Sequence, residues 1–348
     1  MRPALTRSRL KTIVQSFPSL KIAVLGDFAL DAYWHVDMQV AQLSREVPVF
    51  NRPVVQEQYS LGGAANVAWN LADLGIKDVH AFSALGEDWR AVLLRDLMQK
   101  NGIRTDGCIA SPAWSTLLFA KILLSAGGLQ QEDSRIDFIN SNPLEPECET
   151  ALYELLETRL PNLNALIISD YQPTGVINNK MLEQLNILAE KHPEILFVVD
   201  SREKIENYHN MILKPNLSEA LKAAKVSTNH DLLADDSIAA QAGQFLQAGS
   251  KKTVFVTLGD RGCLIVDPNS SIHIPSPKIS GPIDTVGAGD SFLAALTASL
   301  AASASPAEAA TIASLAAGVT IKKLNTTGTA SPDEILALFD DCYSDTKQ

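Results

Sequence analysis

The chain has 348 residues, of which 46% are hydrophobic and 20% charged, as in an ordinary globular protein with a sizeable core. Its formal net charge of −11 argues against a nucleic-acid partner, because no basic field is available to attract a phosphate backbone. The four cysteines form no C-x-x-C pair, and neither a secretory leader nor a lipid-like apolar run is recognisable. We therefore expect a cytoplasmic protein with no membrane partner.

The first part of the chain predicts a buried strand followed by a projecting sheet. A short amphipathic helix precedes Lys21–Gly26 (KIAVLG), an apolar run typical of a central parallel strand. Tyr33–Ser60 contains β-rich pieces and two prolines without a helical period, which favours antiparallel strands that project from the main sheet. Further strands of the same projecting sheet are predicted at Cys108–Ala110, Ser115–Leu124 and Arg135–Ile139.

From about residue 160 onward, strands alternate regularly with helices. The predicted strands are Ala165–Ser169, Ile195–Val199, Met211–Leu213 and Thr253–Thr257. This alternation predicts an α/β fold, with a doubly wound, mainly parallel sheet flanked by helices. Because no repeat or linker interrupts it, we expect one domain over residues 1–348, with a small β lid formed by residues 33–60 and 108–140.

The stretch Ile283–Phe292 (IDTVGAGDSF) holds the most informative candidate site. Gly287, Ala288 and Gly289 precede a long helical pattern, so free N–H groups and the positive end of the helix dipole converge there. Such a position binds phosphate or a developing oxyanion. Asp290 follows in the first turn, where it is best explained as a base for an attacking hydroxyl. The alternative is a helix-capping aspartate after a glycine-rich turn.

Other polar candidates follow the first strand and a glycine pair. Ligands of open α/β sheets bind beyond the carboxyl ends of the strands, so Asp27 and Asp31 are placed to hold hydroxyl groups. Gly62 and Gly63 predict a turn that runs into a helix, and Asn66 lies one turn into that helix, where its amide could reach a bound polyol. Turn or capping roles remain open for both aspartates and for the asparagine.

Two later motifs point to a nucleotide and a metal. Asn216 and Glu219 lie three residues apart on one helix face, which suits a hydrated Mg²⁺ ion and equally suits a capping box. Gly259 and Gly262 would let the backbone approach a nucleotide, or would simply form a turn between two strands. Neither a P-loop nor a dinucleotide-binding fingerprint occurs.

Together these residues resemble the ribokinase-like (PfkB) carbohydrate kinases. The resemblance runs from Lys21 to Phe339 and rests on the stretch Gly62–Gly75 and on DTVGAGDSF. It implies an enzyme that depends on ATP and Mg²⁺, with K⁺ as a further cofactor, and that transfers the γ-phosphate to a hydroxyl of a sugar or sugar phosphate. It also implies a homodimer formed through the lid.

The resemblance further implies a role for each candidate residue. Asp290 would be the catalytic base, and Gly287, Ala288 and Gly289 would form the anion hole. The sugar would be bound by Asp27, Asp31, Gly62, Gly63 and Asn66. ATP would be bound by Asn216, Glu219, Thr257, Gly259, Gly262 and Thr285. Glu219 would hold Mg²⁺ through water, and a monovalent cation would bind Asp284 and the carbonyl of Val286.

Within this family the chain is most similar to the heptose-7-phosphate kinases, the kinase domain of ADP-heptose synthase. Strings such as GDFALDAY, GGAANVAWN and SDY carry this likeness. Two basic positions of that subgroup differ, since Pro173 replaces a lysine and a lid K-x-R pair is reduced to Lys121. The predicted reaction is therefore phosphorylation at the 1-position of a heptose 7-phosphate. The alternatives are a kinase for another sugar or a nucleoside, or a catalytically idle regulatory member.

Overall fold

The protein is described by a computed structural model that covers residues 5–226, 236–324 and 327–343. At its centre lies β1 (Lys21–Gly26), which pairs in parallel with β4 (Asp78–Leu85) and β8 (Ala165–Asp170). Side chains of β1 alternate between two hydrophobic clusters, one on each face of the sheet. A strand buried on both faces needs a continuous apolar run, which explains the sequence KIAVLG.

The main sheet has nine strands in the described part of the chain, in the order β13-β12-β11-β10-β9-β8-β1-β4-β5. The seven strands from β11 to β5 in this order run parallel to one another. β12 runs antiparallel to β11 and forms an antiparallel hairpin with β13 at the edge of the sheet. The strands not yet defined are β5 (Ile103–Ala110), β9 (Leu196–Ser201), β10 (Ile212–Leu213), β11 (Val254–Thr257), β12 (Cys263–Asp267) and β13 (Ser270–Ile274). The predicted doubly wound α/β fold is confirmed.

Helices cover both faces of this sheet. One face carries α1 (Arg7–Ser16), α2 (Ala64–Asp73), α3 (Trp89–Lys100), α8 (Ala288–Ala301), α9 (Pro306–Thr320) and α10 (Pro332–Tyr343). The other carries α4 (Pro146–Arg159), α5 (Asn179–Lys191), α6 (Leu217–Ala223) and α7 (Asp236–Ser250). The small residues of α8 and α9 allow these two helices to pack as a buried hairpin. Among the described helices, none combines the length and the apolar character needed to cross a bilayer.

A second sheet of four strands projects from the main sheet and is called the lid below. Its order is β3-β2-β6-β7, formed by β3 (Val54–Gly63), β2 (Phe28–Asp37), β6 (Leu117–Ala126) and β7 (Leu129–Phe138). The β6–β7 turn contains Gly127 and Gly128, both with positive φ, as a tight two-residue hairpin requires. This hairpin accounts for the inserted segment around residues 125–134.

Two details of the strand prediction were wrong. Cys108–Ala110 belongs to β5, at the edge of the main sheet, and not to the lid. The alternation of exposed Arg104 and Asp106 with buried neighbours is typical of any strand at a sheet edge, so the pattern alone does not identify the sheet. The pair Gly62–Gly63, predicted as a turn, forms the end of β3 and leads directly into α2.

Candidate active site

The N-terminus of α8 presents open backbone amides. Gly287 caps the helix with a φ of 78°, a left-handed conformation that glycine adopts without strain. The first helical hydrogen bond runs from the Ser291 N–H to the Gly287 carbonyl at 3.0 Å. The amides of Gly289 and Asp290 find no acceptor among the described residues, and a Cβ added at Gly289 would point into open space. This end of α8 can therefore receive an anion.

The Asp290 carboxylate is held by one donor on each oxygen. Asn66 Nδ2 donates to Oδ2 at 2.7 Å, and the Tyr171 hydroxyl donates to Oδ1 at 3.1 Å. Burial raises the pKa of Asp290 to about 6, the Asn66 hydrogen bond opposes this rise, and the charge of Asp200 adds to it. A carboxyl group with such a pKa is ionised at neutral pH and readily accepts a proton, as a general base requires.

Tyr171 is a site residue to which the sequence analysis assigned no role. It follows β8 directly, is buried, and its hydroxyl also lies 3.3 Å from Asp200 Oδ2. Burial raises the pKa of Tyr171 well above its ordinary value, so the hydroxyl stays protonated and acts as a donor. The guanidinium of Arg202 lies 5.1 Å from the centre of its ring. The position of Tyr171 just beyond the carboxyl end of the central strand β8 is the signal in the sequence that could have identified it.

A cavity of about 260 Å³ separates the lid from the N-terminus of α8. Acidic and basic side chains from both sheets line it, together with Gly63, Val286, Gly287 and Thr327. The charged residues on its wall are Asp27, Asp31, Lys121, Arg135, Arg202 and Asp290. Asp290 and the N-terminus of α8 thus open into a space of the size of a small polar ligand.

Asp31 lies in β2 and lines this cavity. Burial raises its pKa to about 6, while a 3.1 Å hydrogen bond from the Thr327 hydroxyl and the charges of Arg135 and Lys121 oppose the rise. Gly62 leaves room for this carboxylate, since a Cβ there would lie 2.5 Å from Asp31 Oδ1. The arrangement suits a carboxylate that accepts hydrogen bonds from ligand hydroxyl groups.

Asp27 and Asn66 make contacts that the sequence analysis did not anticipate. The Asp27 carboxylate accepts three backbone N–H groups, from Tyr171, Gln172 and Val176, at 3.0, 2.8 and 2.9 Å. It therefore anchors the loop that carries Tyr171, although it also borders the cavity. Asn66 is fully buried and contacts Asp290, the proposed base.

The motif at the start of α6 forms the capping box that was left open as an alternative. Asn216 Oδ1 accepts the Glu219 N–H at 2.9 Å, and Glu219 Oε2 accepts the Asn216 N–H at 2.7 Å. Burial and the nearby charge of Asp200 raise the pKa of Glu219, whereas Lys214 lowers it. Lys214 Nζ lies 3.0 Å from Asp200 Oδ2. The capping role and a metal role do not exclude one another.

The oxygen donors of this region fit a Mg²⁺ ion. Glu219 and Asp200 offer carboxylates, which Mg²⁺ prefers, and a divalent charge would relieve their mutual repulsion. No cluster of three or more His, Cys, Asp or Glu side chains suited to a metal occurs in the described ranges. An ion held here would therefore take most of its ligands from water and from phosphates, as Mg²⁺ commonly does.

The remaining nucleotide candidates lie near this acidic group and near the start of α8. Thr257 donates from its backbone N–H to the Pro215 carbonyl at 3.0 Å, which brings the end of β11 beside Asn216. Gly259 and Gly262 both have positive φ, and only Gly259 has open space around it. Gly262 is required by the turn, because a Cβ there would collide with the Ile274 carbonyl.

The predicted monovalent-cation residues lie on the segment that leads into α8. Asp284 Oδ1 accepts the Val286 N–H at 3.0 Å, and the Asp284 N–H donates to the Ile321 carbonyl at 2.8 Å. Thr285 is exposed, and its carbonyl lies 3.3 Å from the Ala288 nitrogen. These contacts order the loop beside the open amides of α8, and the cation site itself stays a prediction.

Comparison with known proteins assigns the family. The model of the pfkB family carbohydrate kinases matches residues 22–334. The chain belongs to this family. It is thus a carbohydrate kinase, an enzyme that transfers phosphate to a sugar hydroxyl, and the expected resemblance is confirmed.

Curated relatives of this PfkB kinase include bifunctional HldE proteins. The protein from Geobacter sulfurreducens is 30% identical over 335 residues, which cover 95% of this chain and 65% of the relative. The protein from Shewanella piezotolerans is 30% identical over 345 residues, covering 97% and 67%. The chain therefore spans about two thirds of the length of these relatives.

Solved structures show that the fold is ribokinase-like. Phosphofructokinase-2 from Escherichia coli in complex with potassium superposes with a TM-score of 0.70 at 22% identity, covering 94% of this chain and 100% of that one. Ribokinase from Thermotoga maritima gives a TM-score of 0.66 at 23% identity, covering 92% and 99%. At these identities the likeness concerns the fold alone.

Proposed function

We propose that this kinase transfers the γ-phosphate of ATP to a hydroxyl of a phosphorylated sugar, with the 1-position of a heptose 7-phosphate as the first candidate. The observation that carries the proposal is the common cavity of Asp290, Asp31 and the N-terminus of α8. A base, a hydroxyl-binding carboxylate and phosphate-binding amides open into one space. Phosphoryl transfer needs little more than this positioning and charge stabilisation.

In the proposed reaction, Asp31 orients the sugar so that one hydroxyl approaches Asp290. The Asp290 carboxylate takes the hydroxyl proton while the new O–P bond forms and the bond to ADP breaks. The open amides of Gly289 and Asp290, at the N-terminus of α8, stabilise the negative charge on the transferring group. Mg²⁺, held beside Glu219 and Asp200, would neutralise charge on the nucleotide phosphates.

Three cations on the cavity wall favour a substrate that already carries a phosphate. Lys121 in β6 is paired in register with Arg135 in β7, and both line the cavity together with Arg202. Arg135 thus supplies a second lid cation close to Lys121, although a nearby basic position of the heptose kinases is lost. Several cations on one wall suit a phosphate better than a neutral sugar. The similarity to HldE proteins supports heptose 7-phosphate in particular.

Further parts of the proposal concern assembly and setting. We propose that the lid and the main sheet act as one catalytic domain, because the cavity needs residues of both. We propose a homodimer through the lid, since Val55 in β3 and Phe50 in the connection between β2 and β3 are 60% and 64% exposed. The same proposal includes K⁺ bound by Asp284 and Val286. It also places ATP beside Thr257, Gly259 and Thr285. The free thiols of all four cysteines suit a reducing cytoplasm.

The test is ADP release with Mg-ATP across a panel of neutral sugars, nucleosides and sugar phosphates, heptose 7-phosphate included. The proposal expects the highest kcat/KM with a sugar phosphate. A higher value with a neutral sugar or a nucleoside would keep the kinase and reject the phosphorylated substrate. Absence of ADP release with every compound would instead favour the idle regulatory alternative.

A further inference from the structure

Behind Asn66 lies a chain of buried polar side chains that the reaction itself does not use. Asn70, Ser291 and Thr320 are each 1% exposed. Asn70 Nδ2 donates to the Asn66 carbonyl at 2.9 Å and lies 3.2 Å from Asn66 Oδ1. The Ser291 hydroxyl donates to Asn70 Oδ1 at 2.6 Å and lies 2.7 Å from the Thr320 hydroxyl. These contacts link α2, α8 and α9.

The chemistry of these groups permits only one direction of donation. The Asn66 carbonyl is purely an acceptor, so the Asn70 atom that contacts it must be nitrogen. Asn70 Oδ1 then faces Ser291, whose single hydroxyl proton must point to it. The second N–H of Asn70 meets Asn66 Oδ1, which turns Asn66 Nδ2 toward Asp290.

We propose that Asn70, Ser291 and Thr320 are positioning residues that set the amide orientation of Asn66 and thereby keep an N–H donor on the catalytic carboxylate. Without them only the Asp290 carboxylate itself orients the Asn66 amide, and the N–H donor is no longer held in place beforehand. A donor that is not preorganised stabilises the ionised base less, so part of a charge-assisted hydrogen bond is lost. The inference rests on the proposed role of Asp290 and deepens it.

Asp290 also faces groups from other elements, which these substitutions leave in place. Tyr171 donates to its other oxygen, Asp200 repels it, and Lys214 attracts it. Weakening the Asn66 hydrogen bond alone should therefore raise the pKa of Asp290 without abolishing the function of this carboxylate.

The test measures the titration of Asp290 directly, by ¹³C NMR of the protein labelled at aspartate carboxyl carbons. The Asp290 resonance is identified by its absence in Asp290→Asn. Ser291→Ala and Asn70→Asp should raise the titration midpoint by about one unit, the size expected for a lost hydrogen bond to a charged group. Ser299→Ala is the matched control, because Ser299 is another buried serine of α8 whose hydroxyl has no partner among the described residues.

Kinetics provide the second readout. With a raised midpoint, kcat of Ser291→Ala should fall roughly threefold near pH 6.5 and recover by about pH 9, with the KM for ATP unchanged. A merely structural defect would lower the rate equally at all pH values. A midpoint equal to that of the wild type in folded Ser291→Ala would overturn the inference.

The two proposals fail in distinguishable ways. If Asn70→Asp does not fold, the titration midpoint of Asp290 in Ser291→Ala and in the isosteric Thr320→Val still tests the inference. Neither of these substitutions introduces a charge. If no sugar supports ADP release, the proposed function fails while the NMR titration still reports on the positioning residues. If kinase activity is found and the midpoints do not move, only the positioning role is wrong.

Discussion

Asn66 Nδ2 lies 2.7 Å from Asp290 Oδ2, although the two residues are 224 positions apart in the chain. The contact joins the first helix after the lid strand β3 to the helix that carries the proposed base. It shows that Asn66, expected to bind the sugar, holds the carboxylate that would receive the sugar proton. Asn66 is fully buried and does not line the cavity, so its contact with a sugar stays a prediction.

Asp290→Asn should lower kcat by about 10²–10⁴ and leave ATP binding nearly unchanged, because the amide cannot accept the hydroxyl proton. Steady-state kinetics and calorimetric titration with nucleotide measure the two effects. Asp341→Asn, at an exposed position of α10, is the matched control and should behave as wild type. A variant at position 290 that keeps more than about a tenth of the rate would contradict the base assignment.

The pH dependence of the rate should show an acidic limb near pH 6. Burial raises the pKa of Asp290 to about 6, so the base is protonated and inactive below that value and ionised above it. The same shift makes ionisation costly to the folded state, so the stability contributed at low pH is lost as the pH rises through 6. The melting temperature of the wild type should therefore fall more steeply as the pH rises toward 6 than that of Asp290→Asn, which has no carboxyl group to ionise at this position.

Asp31 titrates in the same window and must be separated from Asp290. Its pKa is also raised to about 6 by burial, so both groups contribute to kcat/KM of the free enzyme. The acidic limb should persist in kcat once substrate fills the cavity, where only the base limits the rate. A flat kcat profile between pH 5 and 8 would argue against Asp290 as a base with a pKa of about 6.

Gly289→Val should fold normally and lose activity by about 10²-fold or more, because its side chain would fill the space of the transferring phosphate. Gly289→Ala should be intermediate. Gly249→Val is the control, since Gly249 also lies in a helix with almost free surroundings. Melting curves establish folding, and ADP release measures activity. Wild-type turnover in folded Gly289→Val would remove the anion hole from this position.

Lys121→Met and Arg135→Met should raise the KM for a sugar phosphate by roughly tenfold or more, since each removes a charge-assisted contact to phosphate. The KM for the corresponding neutral sugar should change little, which makes the ratio of the two KM values the decisive quantity. Lys100→Met, at an exposed end of α3, controls for loss of a positive charge. Equal losses for both substrates would exclude a phosphate at these side chains.

Val55→Asp and Phe50→Asp should convert a lid-mediated dimer into monomers, because each would bury a charge in the apolar interface. Sedimentation equilibrium gives the mass of each variant. Val92→Asp, at a 71% exposed valine of α3, should leave the mass unchanged. Equal masses for the wild type and the two lid variants would reject the lid as the interface.

The sequence predicts the parts of this molecule that depend on local pattern. The buried run Lys21–Gly26 identifies a central parallel strand, and small residues before α8 identify an open helix N-terminus. These signals are contained in short segments, so no knowledge of distant residues is needed to interpret them.

Roles that depend on distant partners could not be predicted. Asp27 and Asp31 follow the same strand and both border the cavity, yet Asp27 accepts backbone N–H groups near Tyr171, whereas Asp31 accepts the Thr327 hydroxyl. The edge strand β5 could not be separated from the lid, because an alternating pattern does not specify its neighbour. The orientation of Asn66 depends on Asn70 and Ser291, whose contacts exist only in the folded protein.

The place of β1 between β4 and β8 affects the order in which the molecule can mature during synthesis. One neighbour of β1 begins at Asp78, the other only at Ala165, and Asp290, the proposed base, follows later still. Contacts of such long sequence separation form slowly, because large loops must close before any packing compensates for the lost entropy. A growing chain can therefore bury much of its sheet before α8, which carries Asp290, is available to dock.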